Sequence, residues 1–576
     1  MNSNARVYDR VTSFLGGMDA YKYPADLPLN QNVLLQNCII NVSGNASPNY
    51  AGNAVTRPGA NQIDSTPSTF TNINPTGPIQ GMGFLDNFTY GQFLLISEGG
   101  KLYTWNGSVW SDALAFTLTS ADATVTMCQG IDSLLISDGA KAMQLYNGNA
   151  FTPCSTGPGD TSATNAPTGA TAIAFIAGMF VVAGPSLVMG NGSTTTTYPP
   201  DTLFFSNYES AGEGDWNEDQ SFRVGNSDGD PIIGLVPIQT TASTYPIYNL
   251  AVLKSNSIWI VALNPGAYAS ATNTTPAEIY GAMFAAITAS AQGDQVGTGI
   301  GCVGRKAFCT YQNDLLFMST YGVQSLQRMQ AAAGQYQLTA PLSQPIQPYI
   351  NRINWEMAYN IQAIKYQQYA IFFVPLDNST VNNYALVWDG LLGQWMIWTG
   401  WTPECAVVTR FGSSSLGTAQ TALVLGDSVG NVNQWQDGPT FYGLDSTYFD
   451  NGVAIPTNIT TRSMVFGKLE FYKKIRDVIV RFNAGNATVS LAAFYDLGQQ
   501  DSWNADATPS GVVLGTPSAI LPFTLSSTSP VICYRSELGN IYCNEFYLTM
   551  STTGGWINVR NVLAVAYLKE ARDPTA

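Results

Sequence analysis

The sequence contains no histidine. That one absence removes Ser-His-Asp and Cys-His catalysis, the HExxH metal site and histidine-based pH switching together. Charge is scarce as well: charged residues make up 11% of the 576 positions, less than half the usual share of about 25%. Cysteine is sparse, with eight at 38, 128, 154, 302, 309, 405, 533 and 543 and no CxxC pair. Without histidine, a zinc site would need four thiolates or carboxylates converging from distant segments. Cys302/Cys309 and Cys533/Cys543 are pairs that cross-strand bridges could join; free thiols, buried in a protein assembled in a reducing cytosol, are the stronger expectation. Long apolar runs are missing too. The longest, Thr171 to Gly184 (TAIAFIAGMFVVAG), falls short of the ~20 residues a membrane helix needs. A glycine divides it, so it reads as two buried strands. The opening MNSNARVYDRVTSFLGG lacks the apolar core of a signal peptide. The expectation is a soluble chain with no conventional export signal and no stable membrane insertion.

What is present points to sheets. Apolar residues reach 45% and aromatics 12%, with 54 glycines and 30 prolines. Abundant Ser, Thr, Asn and Gln must supply the polar surface. Many β-branched and aromatic residues with frequent turn-formers argue against disorder and against a helical bundle. The charge balance, 24 basic against 39 acidic residues, gives −15. Affinity for a phosphate backbone comes from Lys and Arg displacing counterions, so such a chain can lie beside DNA without gripping it.

Residues 1–75 are polar and turn-rich, with one clear apolar segment at Val33 to Ile40 (VLLQNCII) and then Arg57-Pro58-Gly59. Such a stretch buries little alone and reads as a docking arm. From about Ile79 a repeat begins. Leu94-Leu95-Ile96-Ser97-Glu98-Gly99 aligns with Leu134-Leu135-Ile136-Ser137-Asp138-Gly139 at an offset of 40, and Asn106-Gly107 with Asn147-Gly148 at an offset of 41. Each unit reads as an apolar strand, an acidic-Gly turn, an alternating strand and an Asn-Gly hairpin turn. A period near 40 made of short strands is the spacing of a β-propeller blade. Weaker echoes follow at Met179 to Ala183, Leu203 to Ser206, Leu250 to Val261, Asp314 to Leu326, Gln368 to Trp401 and Leu423 to Trp435. After about Phe441 the units stop and long alternating strands begin. The expected fold is mainly β: an N-terminal arm over 1–75, a β-propeller of six to eight blades over 76–440, and a C-terminal antiparallel β-sandwich over 441–576. Insertions are expected at about 184–200 and 265–298, with a short helix around Ile279 to Gln292.

Five groups of side chains invite a functional reading. Glu209, Glu213, Asp215, Glu218 and Asp219 gather beside Trp216; a glycosidase needs two carboxyls about 5–9.5 Å apart, whereas an acidic loop between blades needs only water. Asn226 to Asp230 (NSDGD) resembles half of a calcium loop without its closing Glu, and reads as an Asx-turn. Asp427 to Asn431 near Trp435 resembles an Asp-box, but its spacings fit a plain hairpin turn. Trp388, Trp395, Trp398 and Trp401 could form a sugar platform, though blade packing is the more frequent use of such residues. Lys468, Lys473, Lys474, Arg476 and Arg481 form the one basic run, expected as a subunit contact or solvated strand face before a DNA contact. No catalytic, cofactor or metal residue is expected.

Several segments, in order, resemble a known group. FLGGMDAYKYPADLPLNQNVLLQNCIINVSG followed by TRPG is similar to the opening of short-tailed bacteriophage tail proteins. So are DWNEDQSFRVGNSDGD (Asp215 to Asp230), IGCVGRKAFCTYQNDLLFMSTYGVQSL (Ile300 to Leu326), and the Thr-Arg, Phe-Gly, Lys-Lys and Arg series that opens the final domain. The resemblance implies a tail nozzle or hub: a propeller-bearing, homohexameric, non-enzymatic virion subunit at the distal end of the tail tube. It implies other tail proteins as partners (tail adaptor, fibres or needle), genomic DNA passing without tight binding during ejection, and assembly in the host bacterial cytoplasm. The alternative from the residues alone is a receptor- or glycan-binding propeller of a tail fibre, or a glycan-cleaving enzyme on the same scaffold.

Overall fold

Asx turns and apolar triplets build the repeating unit. Asn106 Oδ1 accepts the backbone N–H groups of Ser108 and Val109 at 3.0 and 2.8 Å, and Asn147 does the same for Asn149 and Ala150 at 2.9 Å. Gly107 and Gly148, which follow, take φ of 92° and 98°, where a side chain would be strained. Leu94-Leu95-Ile96 and Leu134-Leu135-Ile136 are buried on the second strand of adjacent four-stranded antiparallel sheets. The computed structural model describes residues 6–41, 52–63, 77–118, 124–155, 166–191, 194–225, 228–240, 247–263, 294–333, 340–412, 419–435, 448–467, 471–485, 488–495, 512–513, 523–524, 532–553 and 555–568.

Among these residues seven sheets succeed one another as blades. Blade one runs from Ile79–Asn87 to Trp110–Thr117, blade two from Thr126–Gly130 to Phe151–Pro153, and blade three from Ala172–Ile176 to Trp216–Arg223. Blade four runs from Ile232–Thr240 to Asp294–Thr298 and blade five from Phe308–Tyr311 to Gly322–Ser325, the latter with three strands. Blade six runs from Gln362–Tyr366 to Gln394–Thr399. Blade seven holds Pro403–Gly412, Ala419–Asp427 and Val432–Trp435, and its outermost strand is Ala60–Gln62 from the N-terminal arm.

The first strand of each blade faces the axis, and the contacts run round the ring. Val125 N–H donates to Gln80 O at 3.1 Å, Thr126 Oγ1 to Thr171 O at 3.0 Å, and Ile232 N–H to Pro200 O at 3.0 Å. Blades four and five meet where Gly234 faces Phe308; a Cβ there would lie 2.3 Å from the ring, so only glycine permits the approach. Ala363 N–H donates to Lys306 O at 2.7 Å, Tyr366 Oη to Thr421 O at 3.1 Å, and Cys405 Sγ to Ile79 O at 3.2 Å. That last bond joins blade seven to blade one. The ring is a β-propeller.

The sandwich begins where blade six ends. Gln36 pairs with Ile397 of the outermost strand of blade six, and that sheet continues through Asn32–Gln36, Thr457–Thr461, Phe546–Thr553 and Thr488–Tyr495. A second sheet orders Cys38–Asn41, Asn53–Thr56, Trp556–Leu568, Lys473–Gly485 and Ile532–Cys543, with Arg6–Val11 paired to Trp556–Leu568. Leu35, Ile459 and Met550 from one sheet and Val478, Val480 and Val559 from the other are buried in one cluster.

The sheets therefore cross the boundaries read from the sequence. The arm supplies four strands to the sandwich and one to blade seven; apart from the local pairing of Cys38–Asn41 with Asn53–Thr56, its short apolar segments find their partners in distant chain. Within 184–200, Leu187–Asn191 and Thr194–Tyr198 form a hairpin inside blade three. The last residues of 265–298 are the outermost strand of blade four; the Ala-rich piece at 279–292 lies outside the described residues.

Candidate functional site

The acidic run occupies the turn between the third and fourth strands of blade three. Asp215 holds that turn, accepting from Asn207 Nδ2 at 3.2 Å, Gly212 N–H at 2.8 Å and the Ser210 hydroxyl. Trp216 is buried, its indole N–H on Ala211 O at 3.1 Å. Glu209, Glu213 and Glu218 are exposed; the Asp219 side chain lies outside the described residues. In the calcium-like segment, Asn226 and Ser227 also lie outside them. Asp228 receives the fully buried Lys254 ammonium at 2.6 Å, and Asp230 accepts from Ser255 and Ser257 hydroxyls at 2.5 and 2.8 Å. Asp427 accepts Val429 and Asn431 N–H groups at 3.0 and 2.7 Å, a hairpin turn.

The tryptophans face inward. Trp395 and Trp398 are buried, donating to Leu342 O and Cys38 O at 2.9 and 2.8 Å. Trp398, Trp401 and Trp435 pack edge to face at 5.2–6.3 Å between centroids, and Trp388 packs on Tyr311 at 5.0 Å. Trp398, Trp401 and Trp435 spend their rings on one another, while Trp388 is half-buried. This cluster floors the joint between propeller and sandwich. Arg57, fully buried, pairs with Asp450 at 2.6 Å, donates to Thr399 O at 2.6 Å and lies 4.0 Å over the Trp401 ring. Arg462 forms a second buried pair, with Asp9, within the sandwich.

The basic run divides. Lys468 lies outside the described residues, and Lys473 is buried with its ammonium on Asn544 O at 2.6 Å. Lys474, Arg476 and Arg481 alternate onto the outer face of the sandwich, where the register places Arg6 and Lys474 on either side of Tyr567. Arg6 Nε donates to the Tyr567 phenol oxygen at 3.1 Å, and Arg476 donates to it as well. The two guanidiniums hold that phenol below its usual range. Arg6, Arg10, Arg481 and Tyr8 are exposed. The sequence run displayed only part of this face; Arg6 and Arg10 join it through sheet pairing.

A second basic pair, Arg305 and Lys306 of the Ile300 to Leu326 segment, lies at the propeller axis. A cavity of about 240 Å³ is lined from all seven blades, Met82, Thr126, Ile173, Leu235, Phe308 and Ala406 among them. Arg305 and Lys306, just before blade five's first strand, line it too. Lys306 Nζ donates to Gln80 O at 3.3 Å and to Cys405 Sγ at 3.0 Å. Glu404 neighbours them, and burial pushes its carboxyl up to about 7 against the pull of Lys306. Its Oε1 is buried without a hydrogen-bond partner. Arg305 is exposed.

Cys302 and Cys309 are free thiols, as is Cys543, while the side chain of Cys533 lies outside the described residues. Among the described residues, no three Cys, Asp or Glu side chains converge as a metal site would require. No family model and no curated protein matches the chain. Among solved structures, BBS1N in complex with ARL6DN is similar at 11% identity and a TM-score of 0.36, covering 66% of this chain and 97% of that one. Saccharomyces cerevisiae Sqt1 is similar at 9% identity and a TM-score of 0.36, covering 66% and 98%.

Proposed function

We propose that the chain is a structural subunit of the distal tail of a short-tailed bacteriophage, a nozzle or hub protein whose copies form a ring through which the genome leaves. The observation that carries this reading is where the motif residues meet. Gly17 of the FLGG opening, Asn37 and the Arg57-Pro58-Gly59 turn belong to the one joint between propeller and sandwich, while Arg462 of the final domain pairs with Asp9 within the sandwich. Met18 N–H donates to Trp395 O at 3.1 Å, Arg57 N–H to Asn37 O at 2.9 Å, and Trp435 Nε1 to Pro58 O at 2.9 Å. Segments similar to one group in order are thus used together, as parts of a frame.

Charge supports association of copies. The outer face of the sandwich carries Arg6, Arg10, Lys474, Arg476 and Arg481 in a chain of net −15. Two such faces repel, so copies would meet head to tail, basic face on acidic surface, and a head-to-tail contact that closes makes a ring. Exposed Glu209, Glu213 and Glu218 on blade three lie three blades from both blades six and seven, which carry the sandwich. The axial cavity, about 240 Å³, is far too small for a duplex whose major groove alone is about 12 Å wide. In this reading DNA passes between copies, along carboxylates and amides that release few counterions. Six copies, other tail proteins as neighbours, and assembly in a reducing cytoplasm follow from the resemblance; the free thiols suit the last.

The test is to weigh the purified assembly, image it, and titrate it with duplex DNA at low salt. A ring of about six copies with a central opening and weak DNA binding is expected. A monomer, a trimer without an opening, or tight salt-sensitive DNA binding would overturn the assignment.

A further inference from the structure

We propose that Phe88, at the tip of blade one, is the apolar anchor of the contact between copies, and that the outer sandwich face of a second copy receives it around Tyr8, Ile479 and Leu563. This contact rests on the ring of copies proposed above and specifies which end of the propeller meets that face. Neighbouring strands in a blade run antiparallel, so the turn between the first and second lies at the same end as the turn between the third and fourth. At that end of blade one Phe88 is 96% exposed and Tyr90 47%. Neither stands on slack backbone. Asn87 Oδ1 accepts the Thr89 and Tyr90 N–H groups at 2.8 Å, and Asn87 Nδ2 donates to Asp132 O of blade two at 2.7 Å. Gly148 of blade two packs so closely that a Cβ there would lie 2.9 Å from Tyr90 Cβ. A phenyl ring held in water on a fixed turn gains by burial and has little backbone freedom left to lose.

Charge selects the occupant. From Ile79 to Arg223, across blades one to three, the sequence has three cations, Lys101, Lys141 and Arg223. All lie at the opposite end: Lys101 and Lys141 stand where the second strand turns into the third, and Arg223 ends the fourth strand of blade three, paired with Asp201 at 2.8 Å. The end that carries Phe88 has exposed Asp86, Asp132, Glu209 and Glu213. Among the described residues, cations at that end belong to blades five to seven, as Arg328, Lys365 and Arg410. The sandwich face is the inverse. Tyr8, 59% exposed, stands between Arg6 and Arg10 on one strand. Leu563 lies in register with Arg10 on one side and Ile479 on the other; Leu563 and Ile479 are half-buried. Arg476 and Arg481 line the same face. An apolar strip rimmed by cations thus matches an apolar tip rimmed by carboxylates, so that the centre excludes water and the rim sets orientation. Two Phe88 ends would set carboxylate against carboxylate, which disfavours a self-matched contact there.

The experiment follows self-association of the full chain by sedimentation. Phe88→Ser is expected to leave the melting temperature unchanged, since the side chain meets mostly water, and to weaken association about tenfold or more. At about 1 M salt, where charges are screened within ~3 Å, wild-type copies should still associate and the variant should not. A benzophenone photo-cross-linker in place of Phe88 should join peptides of another copy that carry Tyr8, Ile479 or Leu563. A wild-type ring whose affinity Phe88→Ser leaves intact, or cross-links that map to propeller residues of another copy, would overturn the anchor while the ring stands. A wild-type chain that stays monomeric would overturn both.

Discussion

The charges enclosed in this molecule and those on its outer sheet face follow opposite rules. Arg57 at the joint and Arg462 within the sandwich are buried, and each meets a carboxylate. On the outer face, Arg6 and Arg476 share a phenol oxygen, and the carboxylate nearest Arg476, Asp477, stands 3.8 Å from it. Water screens the outer cations, so they need no partner within the chain and remain available to another molecule. The inner ones are committed to the frame.

The sharpest way to break the comparison is at the joint. Removing one member of a buried ion pair typically costs about 3–5 kcal/mol, and Arg57 also stacks on Trp401. Arg57→Ala should therefore give the largest loss of stability by denaturant unfolding, and proteolysis should separate propeller from sandwich. A loss below ~1 kcal/mol would show that the pair is not what locks the joint.

A smaller effect is expected at Glu404. Its carboxyl, ordinarily near 4.5, is raised to about 7 in the folded chain, so the folded state binds more protons than the unfolded one between those values. Stability contributed by this group therefore falls as pH rises from about 4.5 to about 7 and is flat above. Glu404→Gln should remove that decline, raising the melting temperature at pH 8 with little change at pH 4.5. An identical pH profile in the variant would refute the assignment.

Outside, reversal of charge should change association and hardly touch folding. Arg6→Glu with Arg476→Glu and Arg481→Glu should abolish copy-to-copy assembly, with stability changed by less than about 1 kcal/mol. A variant with Glu209, Glu213 and Glu218 changed to Lys should fail alone but assemble when mixed with the first, since acidic face then meets basic turn. If wild-type copies form a ring that neither reversal disturbs, the contact lies on other surfaces and the ring stands. The smallest effect is spectroscopic. Tyr567 should ionise at lower pH than an ordinary tyrosine, and Arg6→Ala should raise its midpoint. An unchanged ultraviolet titration would remove Arg6 from the phenol.

Much of the architecture was legible because it is local. The echo of Leu94 to Gly99 in Leu134 to Gly139 survives since blades one and two are both continuous hairpin series with Asx turns at matching points. Leu203 to Ser206, read as another echo, is the third strand of blade three and starts no new blade, because a hairpin intervenes. Blade count was not legible: blade five has three strands, and the outer strand of blade seven is borrowed from Ala60–Gln62. Pairing across such a distance leaves no period to read. The axial cations were hidden for the same reason. In the sequence Arg305 and Lys306 are an unremarkable basic pair, and the ring alone brings Lys306 to Gln80 and Cys405, 226 and 99 residues away.

The borrowed strand has a consequence in time. Its partner in blade seven, Val432–Trp435, leaves the ribosome some 370 residues after Gln62, a wait of roughly 20–70 s at about 5–20 residues per second. Throughout that interval Cys38–Asn41 can pair with Asn53–Thr56 of the arm, but Asn32–Gln36, carrying Leu34 and Leu35, waits for Gln394–Thr399 and Thr457–Thr461 and exposes bare strand edges to neighbouring nascent chains. Crowded synthesis should therefore favour tangling through this segment, and slower initiation or a chaperone that shields it should raise the yield of folded protein. The clasp that finishes the molecule is made first and fastened last.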